Sequence, residues 1–87
     1  MAQKRKTALV TGAAQGIGAG VARLLAERGY EVAIADLNKP RNGNFFVRTD
    51  VSSEPSVRAC VQAVLRSLGR LDALINKADV YSQLKRY

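Results

Sequence analysis

The chain has 87 residues, 47% hydrophobic and 24% charged, the makeup of one small globular domain and not of a disordered segment. Its formal charge of +7 comes from scattered basic residues with little aromatic interleaving and no nucleic-acid-binding motif, so specific nucleic-acid recognition is not expected. A single cysteine, Cys60, excludes an internal disulfide and a multi-cysteine metal site, and with no histidine to activate it a small buried side chain is expected.

No apolar run nears the roughly 20 residues that span a bilayer. The basic run Lys4 to Lys6 and the apolar stretch after it imitate a signal peptide, but that stretch is short and interrupted by glycine. A soluble, cytoplasmic protein with no membrane partner is the expectation.

Lys6 to Thr11 predicts a strand, and Thr11-Gly12-Ala13-Ala14-Gln15-Gly16-Ile17-Gly18 follows it directly. This run has the form of a phosphate-cradling turn. Gly12 tolerates the backbone angles of a tight strand-to-helix turn, Gly16 lets a pyrophosphate approach the backbone, and Gly18 allows the helix to pack close to the strand. The helix starting near Gly16 points free N–H groups and its positive dipole end at the same place. Ile17 to Arg28 predicts that helix, with Ile17, Val21, Leu24 and Leu25 on the apolar face, and Gly29 ends it. Glu31 to Asp36 then reads as a second strand finishing in the carboxylate that a dinucleotide site requires about 20 residues beyond its glycines.

Leu37 to Gly43 is turn-rich, and Asn44 to Arg48 is a third strand candidate. A connection this short also permits an antiparallel hairpin, since parallel crossovers usually take a dozen or more residues. The pattern that follows favours a parallel strand: Ser52 or Ser53 as a cap, Pro55 in the first turn, and an apolar stripe of Val57, Val61, Val64, Leu65 and Leu68 closed by Gly69. Leu71 to Asn76 predicts a fourth strand. Residues 1–78 therefore form the expected nucleotide-binding half-domain, and 79–87 a short tail, either frayed or helical with Val80, Leu84 and Tyr87 facing inward.

The fold class expected is α/β: a Rossmann-like, partial doubly wound parallel sheet in the order 3-2-1-4, with one main helix on each face. Ligands bind such sheets outside the carboxyl ends of the strands where the order reverses, which is where Gly12 to Gly18 and Asn76 fall.

From Thr7 to about Ala78 the sequence resembles the amino-terminal half of the short-chain dehydrogenases/reductases, a family of NAD(P)-dependent oxidoreductases. Thr11 to Gly18 matches the family's TGxxxGIG loop, Asp36 the acid of its NAD-preferring members, Asp50-Val51 its adenine-contacting pair, and Leu71 to Asn76 its fourth strand. The resemblance implies a cofactor site of Gly12, Gln15, Gly16, Ile17, Gly18, Asp36, Leu37, Asp50, Val51, Asn76 and Ala78. It implies NAD over NADP, because Asp36 repels a 2′-phosphate, although Lys39 and Arg41 lie nearby in sequence.

The sequence departs from the family's NNAG motif, reading Asn76-Lys77-Ala78-Asp79, and the family's later serine, tyrosine and lysine have no counterpart in order. Tyr81 to Lys85 spells YxxxK, but so soon after Asn76 and without a preceding catalytic serine it is read as chance spacing. No catalytic residue is assigned. The expectation is a minimal NAD-binding module, truncated or engineered, holding the ADP portion of the cofactor. The alternatives are one part of an oxidoreductase completed by another chain, or a scaffold whose nucleotide binding has lapsed. An exposed fourth-strand edge or uncovered sheet faces imply a homodimer or higher oligomer.

Overall fold

In a computed structural model of the protein, residues 5–14, 16–41 and 44–76 are described. They form strands β1 (Thr7–Thr11), β2 (Glu31–Asp36), β3 (Phe45–Arg48) and β4 (Ala73–Asn76), with helix α1 (Gly16–Glu27) between β1 and β2 and helix α2 (Glu54–Leu68) between β3 and β4. The sheet order is β3-β2-β1-β4, and every neighbouring pair is parallel. The tail from Lys77 onward, including YxxxK and the inward-facing residues expected there, lies outside the described residues.

The central strands read as apolar runs because helices cover both of their sides. All five residues of β1 are buried, as are Val32 to Ala35 of β2. Alternation along each strand divides these residues between two cores. Leu9, Ala33 and Ala35 meet Cys60 and Val64 of α2. On the other face Val10, Val32 and Ile34 meet Ala22 of α1, together with Ala13 from the turn. Cys60 is thus a core side chain, and burial pushes its thiol pKa up.

The third strand is parallel despite its short connection, and the register gives the reason. Phe45 pairs with Ala33 and Arg48 with Asp36, so β3 covers only the last four of the six residues of β2. The connection climbs back three residues of strand, about 10 Å, a span within the reach of residues 37–44.

Helix α2 is capped within its own sequence. Ser53 Oγ accepts the Ser56 N–H at 3.3 Å, and Gly69, at φ 86°, donates its N–H to the Leu65 carbonyl at 3.0 Å. Leu65 itself is exposed, while Cys60 and Val64 carry the buried face.

Helix α1 corrects the expected apolar face. Ile17 is 74% exposed and Leu24 48% exposed, whereas Gly18 and Ala22 are buried and Leu25 packs partly beside them. The inward stripe runs Gly18-Ala22-Leu25, about 100° from the stripe led by Ile17 and Leu24. Small residues face the sheet because the helix start lies against the preceding turn: a β-carbon on Gly18 would come within 2.4 Å of the Gly12 carbonyl oxygen. The intimate contact of Gly18 is therefore with the backbone of the turn.

Candidate functional site

The carboxyl ends of the strands bring the expected residues to one edge. β1 ends at Thr11, whose partners across the sheet are Ala35 and Asn76. The ladder continues past β1, with the Gly12 N–H donating to the Ala35 carbonyl at 2.9 Å, before the chain turns away at Gly12 with φ 63°. Gly16 has φ 70°, and a β-carbon there would meet nothing within 4 Å. Glycine is required at this position for conformation, and the space beside it is open. The first turn of α1 carries no acidic residue, so no side-chain carboxylate in that turn competes for its positive end.

Asp36 ends β2 beside this turn. Its Oδ2 accepts the Ala14 N–H at 3.1 Å and its Oδ1 accepts the Asn38 N–H at 3.0 Å. Leu37 follows on the surface and is exposed. On the neighbouring strand Arg48 lies in register with Asp36 and is exposed, on the side of the sheet that Phe46 shares with α1. The Thr49 N–H donates to the Asp36 carbonyl at 2.9 Å, carrying the chain on to Asp50.

Asp50 is exposed and held in a tight local turn. Its Oδ1 accepts from the Ser52 N–H at 3.0 Å and the Ser52 hydroxyl at 2.6 Å, while its own N–H donates to Ser56 Oγ at 2.9 Å. The two Ser52 bonds hold its carboxyl below the usual pKa, the hydroxyl being the stronger influence, and keep it an anion and acceptor. Val51 is half-buried beside it. At the far end Asn76 Oδ1 accepts the Thr11 hydroxyl at 2.9 Å, tying β4 to β1. Gln15 and Ala78, the two other expected site residues, lie outside the described residues.

Gly12, Gly16, Ile17, Gly18, Asp36, Leu37, Asp50, Val51 and Asn76 thus share the carboxyl edge of one sheet. Sequence reasoning missed Ala14 and Arg48. Ala14 acts through its backbone N–H and leaves no side-chain signature; Arg48 becomes visible only when the β2–β3 register is known. The bond from the Asn38 N–H to Asp36 was likewise not read from the sequence, beyond the expectation of a turn-rich stretch from Leu37 to Gly43.

A four-stranded parallel sheet with a glycine turn and an acid at this edge defines a Rossmann-fold domain. The family model for short chain dehydrogenase matches residues 6–86, and the chain belongs to that family, whose members use NAD(P). It is 39% identical to an L-fucose dehydrogenase of Oryctolagus cuniculus over 88 residues, covering 92% of this chain and 31% of that protein. It is 41% identical to the short-chain dehydrogenase reductase ATA1 of Arabidopsis thaliana, covering 86% of this chain and 30% of that protein. Ligand-free aldohexose dehydrogenase of Thermoplasma acidophilum matches with a TM-score of 0.80 and 25% identity, over 86% of this chain and 30% of that one. The 3-ketoacyl-(acyl-carrier-protein) reductase of Brucella melitensis, complexed with NADH, matches with a TM-score of 0.71 and 36% identity, over 79% of this chain and 32% of that one. The chain spans about a third of the length of the curated relatives it matches.

Proposed function

We propose that this chain binds the adenosine-diphosphate end of NAD along the carboxyl edge of its sheet. The observation that carries this reading is the open space at Gly16, where α1 begins two residues after Ala14, whose N–H the Asp36 carboxylate accepts. The pyrophosphate sits at Gly16 to Gly18, the adenosine ribose at Asp36, and the adenine between Leu37 and Asp50-Val51. NAD is preferred to NADP because the Asp36 charge repels a 2′-phosphate. When bound, the cofactor supplies hydride chemistry; the residues of this chain bind and orient its adenosine end.

A second reading is favoured by the length of the relatives, which are dehydrogenases about three times as long as the matched region. In it the chain is the cofactor-holding part of an oxidoreductase completed by further polypeptide. We also propose that the chain self-associates through β4, which is only half-buried and carries its neighbour β1 on one side.

Paired thermal-shift titrations with NAD and NADP test the cofactor reading, since a ligand bound only by the folded state raises Tm with its concentration. NAD should raise Tm, and NADP should do so only at higher concentration. No rise at millimolar NAD would remove the reading and leave a scaffold without nucleotide binding.

A further inference from the structure

We propose that Asp36 is a positioning residue for the phosphate turn as well as the acid that meets the ribose. This rests on the cofactor reading above and gives the same site a preorganising device. Both carboxylate oxygens are already engaged by backbone N–H groups: Oδ2 by Ala14, 22 residues earlier in the chain, and Oδ1 by Asn38. The Asn38 bond aims the carboxylate, and the Ala14 bond spends that aim on the turn.

The turn is thereby fastened at two separate points. Gly18 rests on the backbone of Gly12 and Ala13, which fixes the start of the turn against the helix. Ala14 is then held toward the end of β2 by Asp36. Between these fastenings the chain reaches Gly16 at φ 70° with open space beside it. Without the Asp36 bond the turn has more conformations to lose when an anion arrives, and binding weakens accordingly.

This role predicts the opposite sign from a carboxylate that only awaits a ribose. Inorganic pyrophosphate has no ribose, and removing a nearby negative charge should by itself leave its binding unchanged or tighten it. If Asp36 positions the turn, Asp36→Ala binds pyrophosphate more weakly, by about three-fold or more, the worth of an ordinary hydrogen bond. Asp36→Asn, which keeps one acceptor, falls between the two.

The experiment is an amide-resolved NMR titration of the 87-residue chain with inorganic pyrophosphate, following Gly16, Ile17 and Gly18, joined to hydrogen exchange of the ligand-free wild type. Weaker pyrophosphate binding in Asp36→Ala and a protected Ala14 amide are the expected results. Equal or tighter binding in the variant overturns the positioning role and leaves the cofactor reading standing. An Ala14 amide that exchanges as in an unstructured peptide also overturns it, even where the variants do not fold. A wild type whose turn does not respond to pyrophosphate removes the cofactor reading instead, and Ala14 protection still decides whether Asp36 holds the turn.

Discussion

Three glycines of the turn and helix sit in different surroundings, two of which require glycine, and substitution separates them. A β-carbon at Gly18 meets the Gly12 carbonyl oxygen at 2.4 Å, a contact with backbone that cannot rotate away. Gly18→Ala should cost about 2 kcal/mol as the helix start is forced from the turn. Gly16→Ala meets no atom but must hold φ near 70°, costing about 1 kcal/mol. Gly20, inside α1, has open space and no positive φ, so Gly20→Ala should stabilise by about 0.5 to 1 kcal/mol. Urea denaturation of the three variants checks the order. Equal effects at Gly18 and Gly20 would mean that the close approach is absent.

Among the elements, the start of β4 is fastened to the start of β1 by one carboxylate. Asp72 Oδ2 accepts the Thr7 N–H at 2.8 Å, the Asp72 N–H donates to the Thr7 carbonyl at 2.9 Å, and Arg70 bonds both carboxylate oxygens, at 2.8 and 2.6 Å. The Arg70 side chain, followed by the Thr7 N–H, lowers the Asp72 pKa, and Ser52 lowers that of Asp50. A carboxylate whose pKa is lower folded than unfolded contributes stability above its unfolded value and loses it as pH falls through the folded one. Tm should therefore hold near neutrality and fall below about pH 4. Asp72→Asn should have a lower Tm at neutral pH and a flatter acid limb; a limb as steep as the wild type's would assign the acid sensitivity elsewhere.

Element by element, the order and type of strands and helices were legible because the apolar runs of β1 and β2 and the caps of α2 are local signals. The face of α1 was not. Hydrophobic periodicity gives weight to Ile17 and Leu24, whereas the sheet receives Gly18 and Ala22, whose value is that they are small. At the site, the glycines and Asp36 were legible as types at a spacing. The bond from Ala14 to Asp36 was not, because its donor belongs to the backbone and its partner comes from the next strand.

For the molecule as a whole, the division of the core between two sheet faces leaves each with only one described helix, and β3 and β4 lie at the two sides of the sheet. Light scattering across a concentration series should show the chain as a dimer or larger. A monomer at the highest concentration would rule out association through β4. Lys substituted for Ile75 or Leu74 is an uninformative probe of this interface, because both side chains also pack on the cores, and Asn76 is no cleaner, since its Oδ1 holds the Thr11 hydroxyl.

The bonds between Thr7 and Asp72 link residues 65 apart in sequence, and they join the earliest strand to the last one described. A ribosome delivers β1 first, yet that strand receives its second neighbour only after both helices and the other two strands have emerged. One side of the most buried strand is consequently left waiting until β4 has emerged. Closing so long a loop is slow compared with forming α1 and β2 beside β1. The pairing of β4 is thus the last of the described strand pairings to become possible, and the interval before it leaves the nascent chain open to pairing with the wrong partner.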